Sequence, residues 1–230
     1  MDPERFALFL TFRNGVACVT SKPGGLPLNL DVLLDKDIDL PRLTEVLDGL
    51  GHVGRLDTIR HWSGGVQARL FEAAKGHKAL TLDDFVPPGV EPLVEVIHHG
   101  KNSLPAFTHF QKRFCKPKPA EEGAEAKDEL WGYNEQTFGA FTGPGYYVAH
   151  LPEGRDDGAA GEVDIDYRKI PPGKVESWPP ILPNSARLGV LVYAGMVDVM
   201  RGISAHVSIG RAMKKGKYMG AWFVLCREDR

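Results

Sequence analysis

Several features of common protein classes are scarce or missing in this sequence, and each shortage narrows the choice of class. Its three cysteines, Cys18, Cys115 and Cys226, lie too far apart for a disulfide framework or for the paired spacing of a zinc site. The 28 basic residues are offset by 30 acidic ones, with no long basic tract, which argues against nucleic acid as a partner. We therefore expect reduced thiols and no nucleic-acid binding.

Long hydrophobic runs and common catalytic motifs are also missing. The opening stretch MDPERFALFLTFRNG carries acidic residues before an apolar segment that is too short and too interrupted for a signal sequence or a membrane span. The sequence contains neither a phosphate-binding loop ending in lysine and serine or threonine nor the G-x-S-x-G motif of serine hydrolases. We expect a cytoplasmic protein without membrane insertion and without covalent serine catalysis.

The residues give little support for metal or cofactor binding. Glu95 and His98 form one E-x-x-H pair, whereas di-iron bundles need two such pairs and further carboxylates. The neighbouring Val94, Val96 and Ile97 favour a strand, on which Glu95 and His98 would point to opposite faces. The sequence predicts no metal ion and no cofactor.

Apolar residues are plentiful enough for a sizeable core, since 43% of the 230 residues are hydrophobic. The composition changes at CKPKPAEEGAEAKDEL, residues 115–130, where proline and charge replace apolar periodicity. We predict a mostly helical N-terminal lobe over 1–115, a flexible charged linker or loop over 116–130, and a lobe of antiparallel sheet plus helix over 131–230. The two lobes can also form a single domain.

Apolar spacing predicts the secondary structure. PRLTEVLDGL and GGVQARLFEAAKGH have helical spacing, whereas GEVDIDYRK and ISAHVSIGR alternate as half-buried strands do, and KKGK predicts a hairpin turn into AWFVLCR. Residues 186–200, apolar on nearly all sides, fit a buried helix, although their first half also fits a strand. The predicted fold class is α+β, with a curved antiparallel sheet or partial barrel packed on a long apolar helix and a mostly helical N-terminal half.

The end of the chain, a strand, a short turn and a strand finishing WFVLCR, resembles the closing strands of lipocalin-like lipid-binding proteins over about the last quarter of the sequence. The resemblance implies a curved sheet. The strand pattern also predicts that Asp164 and Asp166 face outward and that six residues are buried, namely Val163, Ile165, Ile203, Val207, Ile209 and Phe223.

The first candidate site is LVEVIHHGKN, residues 93–102. On a strand His98 shares a face with Val96, while His99 points to the other face. An inward histidine can act as a general acid or base near neutral pH, with Lys101 and Asn102 binding a substrate oxygen. The competing interpretation is a surface or structural histidine at the end of a strand.

The second candidate is RHWSGGVQARLF, in which Arg60 and the free N–H groups of a glycine pair would bind an anion. Its competing interpretation is a simple helix start, with Ser63 as the cap and Trp62 as a packing residue.

Two further candidates lie downstream. In FTGPGYYVAHL a glycine bend precedes Tyr146, Tyr147 and His150, which would bind substrate or pack at a hairpin corner. Asp198 is the single acid in a long apolar run, and it would orient His206 as an acid–base pair if their strand lines a concavity. If that strand faces water, both side chains are simply solvated.

Three functions remain open from the sequence. The first is a cofactor-independent acid–base enzyme of the lyase, isomerase or hydrolase type, acting on a small organic metabolite with His98, His206 and Asp198 as catalytic residues. The second is a non-catalytic carrier of an apolar or lipid-like ligand in a lipocalin-like pocket. The third is an interaction or structural protein. A small molecule is the expected partner, and homo-oligomer formation is left open.

Overall fold

The structure is a computed structural model. It describes residues 9–13, 16–20, 28–29, 33–34, 37–104, 108–118, 128–135, 144–153, 160–182 and 195–229. Its described helices are α1 Leu40–Gly49, α2 His52–Arg60 and α3 Gly64–Ala73, followed by a 3-10 turn at Leu82–Asp84. Its described strands are β1 Phe9–Arg13, β2 Val16–Thr20, β3 Leu28–Asn29, β4 Val96–Asn102, β5 His109–Cys115, β6 Glu129–Glu135, β7 Tyr146–His150, β8 Val163–Asp166, β9 Met196–Gly202, β10 Val207–Lys214 and β11 Lys217–Arg227.

The central element is a closed, eight-stranded antiparallel barrel. Each strand from β4 to β11 pairs with its neighbour in sequence, and β11 returns to pair with β4, so that Phe223 lies opposite Asn102. Closure leaves no free strand edge in the barrel. The remaining strands, β1 to β3, form a separate three-stranded sheet. The predicted α+β class is confirmed, and the predicted partial barrel is a complete one.

Two large apolar clusters lie on the two sides of the barrel wall. The first fills the barrel interior with side chains from its strands and from the segment before β4, including Phe85, Val86, Phe114, Tyr147, Ile165, Met200 and Leu225. The second packs the helices against the outer face of β9 to β11, and includes Leu43, Leu47, Ile59, Leu70, Phe71, Val199, Ile209 and Val224. The strands β9 and β11 therefore contribute apolar side chains to both clusters.

Two of the three described helices, α1 and α3, begin at a side-chain cap. The Asp39 carboxylate accepts a hydrogen bond from the backbone N–H of Arg42 at the start of α1, 3.0 Å away. Ser63 does the same for Val66 at the start of α3, at 3.3 Å, and Trp62 is buried among the helices. These are the roles that the simple helix-start interpretation gave to Ser63 and Trp62. Among the described residues, no helix has both the length and the apolarity to cross a membrane.

Large rings fill the barrel interior by lying over glycines. Gly100 pairs with Phe110, Gly132 with Tyr147, and Gly210 with Phe223, each directly across two adjacent strands. A Cβ atom added to any of these glycines would lie within 2.4 Å of its partner's ring. The absence of a side chain at the three positions is thus what makes room for the rings.

The structure corrects the helix predictions. Residues 196–200, the end of the predicted long apolar helix, belong to strand β9, and residues 183–194 lie outside the described residues. In the predicted helical half, the described helices cover residues 40–73, while Val96–Asn102 and His109–Cys115 are barrel strands. Strand β9 is buried on both faces, so it lacks the alternation of apolar and polar residues that marks a half-buried strand. This is why the sequence pattern predicted a helix there.

The strands on either side of the predicted linker are neighbours in the barrel. Phe114 in β5 lies opposite Gly132 in β6. The connection between these adjacent strands is therefore 116–128, because residues 129 and 130 of the predicted linker already belong to β6. Residues 119–127 are outside the described residues. All six residues predicted to be buried are buried, which confirms that prediction. Asp164 and Asp166 alternate with the inward-facing Val163 and Ile165, but both carboxylates are buried as well.

Candidate functional site

A lysine inside the barrel is the centre of a buried polar cluster. Lys112 is 1% exposed and shares its face of β5 with Phe110 and Phe114, which belong to the interior cluster. Its Nζ donates to Asp198 Oδ2 at 3.0 Å and to Asn134 Oδ1 at 3.0 Å, and it also contacts the hydroxyl of Tyr167. The Asn134 amide donates to the same hydroxyl at 2.8 Å. We call Lys112, Asn134, Tyr167 and Asp198 the Lys112 cluster.

Aromatic rings surround the amine of Lys112. The centroids of Tyr167, Phe223 and Tyr147 lie 4.9, 5.0 and 5.1 Å from Nζ, close enough for cation–π attraction. Burial lowers the pKa of Lys112, although the carboxylate of Asp198 acts in the opposite direction. The cluster therefore combines a desolvated amine with a carboxylate, a phenol and an amide, each within hydrogen-bond reach of the amine.

The Lys112 cluster lies toward one end of the barrel, which we call the cluster end. Asn134 is next to the last residue of β6, and its backbone N–H donates to the carbonyl of Pro144, just before β7 begins. The connections after β4, β6, β8 and β10 all leave from this end because the strands alternate in direction. At the opposite end Phe85, Val86 and Val90 pack into the interior. The barrel is thus plugged by its own chain at the end away from the cluster.

His98 faces the barrel interior, as its spacing from Val96 predicts, but near the plugged end. Its Nε2 is 3.0 Å from the carbonyl oxygen of Phe85, and its ring stacks on that of Phe85 with centroids 5.5 Å apart. Burial lowers the pKa of His98 to about 3. The imidazole therefore stays neutral at physiological pH, and within the described residues His98 Nδ1 has no hydrogen-bond partner.

The structure does not bring the predicted pair Asp198 and His206 together. Asp198 points into the barrel toward Lys112, whereas His206 lies in the connection between β9 and β10, with Nδ1 3.2 Å from Asp229. His150, a predicted substrate-binding residue, has Nε2 3.7 Å from the carboxylate of Asp166. That carboxylate raises the pKa of His150.

The two tyrosines of the predicted glycine bend face opposite sides of the wall. Tyr147 points inward, next to Lys112, and its hydroxyl donates to the carbonyl of Arg113 at 3.0 Å. Tyr146 points outward, where it packs near Trp178 and donates to the carbonyl of Pro179 at 2.5 Å. Only the first of them adjoins the Lys112 cluster.

A concave region lies outside the barrel, where α2 crosses the outer face of β4 and β5. We call it the α2 groove; its volume is about 280 Å³, and its lining includes Leu56, Arg60, His99, His109, Gln111 and Glu135. The groove brings the first two sequence candidates together, since Lys101 Nζ donates to the carbonyl of Arg60 at 2.5 Å. Asn102 is the last residue of β4 and pairs with Phe223 at the cluster end.

Lys112, Asn134 and Tyr167 were not among the sequence candidates. A signal for Lys112 was present in HFQKRFC. Lys112 is two positions from both Phe110 and Phe114, so it shares the apolar face of the strand with them. Asp198 carries the same signal in β9 and was singled out for it. No comparable signal marks Asn134, because β6 is buried along nearly its whole length.

Comparison of the chain with family models, with curated proteins and with solved structures finds no match.

Proposed function

We propose that this protein binds a small organic molecule at the cluster end of its barrel and acts on it by acid–base chemistry through Lys112. The observation that carries the proposal is the contact of a fully buried lysine with Asp198, Asn134 and Tyr167 inside a barrel that is filled mainly by apolar side chains. A buried ion pair contributes little to stability compared with apolar packing of the same volume. Perturbed ionisable groups that converge in this way are typical of functional sites.

The four side chains have complementary chemical roles. The lowered pKa of Lys112 makes its neutral amine more available as a proton acceptor at physiological pH. Asp198, 3.0 Å away, would stabilise the ammonium ion formed by proton transfer. The Tyr167 hydroxyl and the Asn134 amide would donate hydrogen bonds to an oxygen of the bound molecule. The arrangement suits proton abstraction or proton return on a substrate that carries a carbonyl or carboxyl group.

The acid–base role then belongs to a lysine and not to the histidines that the sequence suggested. His98 shares the barrel interior with Lys112, but a pKa of about 3 keeps its charge constant over the range in which most enzymes work. His206 has Asp229 rather than Asp198 beside it. We therefore assign His98 to the packing of the plugged end.

A non-catalytic carrier is the second candidate, and the aromatic rings around the amine favour it. The rings of Phe223, Tyr147 and Tyr167 give an apolar wall, and an ammonium ion inside that wall would pair with the acidic group of a ligand. In this case the bound molecule would leave the protein chemically unchanged.

Access to Lys112 can be tested without knowing the ligand. We would treat the folded, untagged protein with formaldehyde and a mild borane reductant at about pH 7.5, and map methylated lysines by peptide mass spectrometry. Lys169, which is on the surface near Glu153, is the control. We expect methylation of Lys112 in the folded protein. Protection of Lys112 until the chain is unfolded in urea, with Lys169 fully methylated, would contradict a binding site at this amine.

The ligand itself can be sought by native mass spectrometry of untagged protein. We expect a retained small molecule on the wild type and on Lys169→Met, and its loss from the double variant Lys112→Met/Asp198→Asn, which removes both charges together. Retention by the double variant would place binding elsewhere. Chemical change of the released molecule on incubation with fresh protein separates the enzyme from the carrier.

A further inference from the structure

Three side chains from distant parts of the sequence meet outside the barrel wall. His52 begins α2, His99 lies on the outer face of β4, and Glu228 follows β11. The nitrogen and oxygen atoms that they offer all lie within 4.8 Å of one another. His99 Nε2 is 2.6 Å from Glu228 Oε1, and the two imidazole rings have centroids 5.5 Å apart. The three residues form a compact set of donors on separate elements.

One nitrogen of this set is not used by the protein. Within the described residues, His52 Nδ1 is inaccessible to solvent and has no hydrogen-bond partner. A buried polar atom without a partner costs free energy, and such atoms are uncommon in folded proteins unless they hold a water or an ion. The imidazole of His52 lies beside His99 and Glu228, so an ion coordinated through Nδ1 would also satisfy this atom.

Two imidazoles and one carboxylate are a donor set that transition metals prefer. Zn²⁺ binds histidine nitrogen at about 2.0–2.1 Å and carboxylate oxygen at about 2.0–2.2 Å, with tetrahedral geometry. Donors around such an ion are about 3.3 Å apart, so the set needs only modest side-chain rotation to close on it. Glu228 has room to rotate, since its side chain is 39% exposed. Hard ions such as Mg²⁺ and Ca²⁺ prefer oxygen donors and fit less well.

The neighbouring cationic side chains are held by other partners. Arg55, one turn along α2 from His52, contacts the carboxylate of Asp229 and the carbonyl of Leu50. Arg227 donates to the carbonyls of Asp83 and Asp84. The carboxylate of Glu228 pairs with the imidazole of His99, which a metal ion would also bind.

We propose that His52, His99 and Glu228 bind one Zn²⁺ ion, or a similar divalent transition-metal ion. Such an ion would join α2 to β4 and to the segment after β11. Three protein ligands also leave one coordination position for water or another small ligand. Because His99 lines the α2 groove, the ion would lie beside that groove. The site is outside the barrel and does not depend on the function proposed for the Lys112 cluster.

The test is a metal titration of the untagged full-length chain after treatment with a chelator. Isothermal titration with Zn²⁺ should give one saturable site, and Co²⁺ should produce the visible absorption of a nitrogen- and oxygen-bound ion. His52→Gln, His99→Gln and Glu228→Gln should each weaken Zn²⁺ binding by at least about tenfold. His61→Gln is the matched control, since His61 lies on the surface directly after α2 and outside the donor set; it should bind as the wild type does.

Thermal unfolding gives a second readout that separates lost metal binding from lost structure. At one fixed Zn²⁺ concentration, the Tm of the wild type and of His61→Gln should rise by more than that of His52→Gln, because a ligand that binds only the folded state stabilises it more the more tightly it binds. Absence of saturable binding below about 100 µM Zn²⁺ would overturn the proposal. So would wild-type affinity in all three ligand variants.

Discussion

His98 shows how burial alone can decide the chemistry of a side chain. The histidine faces inward, stacks on Phe85 and has a pKa of about 3. A histidine on a strand face usually suggests a proton carrier near neutral pH. Here desolvation keeps the imidazole neutral, so that it cannot carry protons near neutral pH. The hydrogen bond to the Phe85 carbonyl makes the residue part of the segment that plugs the barrel.

The lowered pKa of His98 predicts a specific loss of stability in acid. The unfolded chain takes up the proton near pH 6.5 and the folded chain near pH 3, so the stability is full above about pH 6.5 and falls as the pH decreases. One such group contributes a slope of about 1.4 kcal/mol per pH unit. His98→Gln should therefore lose less stability than the wild type between about pH 6.5 and about pH 5, as measured by urea unfolding. His61→Gln, a surface control, should keep the wild-type slope. Equal slopes for the wild type and His98→Gln would contradict the buried, neutral state of His98.

The ion pair of Lys112 and Asp198 predicts a non-additive response to mutation. Lys112→Met leaves the Asp198 carboxylate buried without its ammonium partner, which should cost about 3–5 kcal/mol in the free energy of unfolding. Lys112→Met/Asp198→Asn removes both charges and should recover much of that loss. A double-mutant cycle by chemical denaturation measures the coupling. If the double variant is no more stable than Lys112→Met, the two side chains do not form the pair described above.

At the scale of single elements, the barrel strands accommodate large rings by placing glycine opposite them. Gly132 is the least adaptable case, because an added Cβ would lie 2.4 Å from the backbone carbonyl oxygen of Arg113 as well as 2.4 Å from the ring of Tyr147. The backbone oxygen cannot turn away as a side chain can. The strand itself would have to shift.

Gly132→Ala should therefore destabilise the protein by about 1–3 kcal/mol or more, through overpacking. Gly220→Ala is the matched control, since Gly220 also lies in a barrel strand but has no atom within 4 Å of an added Cβ. That control should stay within about 0.5 kcal/mol of the wild type. Thermal unfolding of the two variants, side by side, decides whether glycine is needed for space or only tolerated.

The face on which each residue of a half-buried strand lies could be predicted from the sequence. Strand alternation assigned His98 and His99 to opposite faces, and it identified Val163, Ile165 and Phe223 as core. The same rule failed for β9, where Val199 packs against the helices while Asp198 and Met200 face the interior. A strand that is buried on both sides has no polar face, so its sequence does not show the two-residue alternation of apolar and polar side chains.

The candidate site was only partly predictable, because its members are joined by barrel closure. Asp198 was identified as an isolated acid, but its partner Lys112 comes from β5, 86 positions earlier. The meeting of His52, His99 and Glu228 likewise requires β11 to pair with β4 and α2 to cross them. Spacing within one segment carries no information on such contacts.

For the whole molecule, the pairing of β11 with β4 is the contact that closes the barrel. Val224 lies within this seam, opposite Lys101 on β4 and opposite Ile209 on β10. Proline at a central strand position removes a backbone N–H donor and is normally excluded there.

Val224→Pro should therefore abolish the cooperative unfolding transition, whereas Val224→Ala should preserve it and lower stability by about 1–3 kcal/mol through lost burial. Differential scanning calorimetry distinguishes the two outcomes. A cooperative transition in Val224→Pro would show that the barrel tolerates an open seam.

The seam also governs the order in which the chain can fold. Neighbouring strands form local hairpins, but β4 finds its second partner only when β11 is available, more than a hundred residues later in the sequence. Contacts of such wide separation slow folding, because loop-closure entropy is lost before the contacts are gained. During that interval β4 presents an unpaired edge to other molecules. Refolding yield should consequently fall with rising protein concentration, since two incomplete barrels can pair with each other before either one closes.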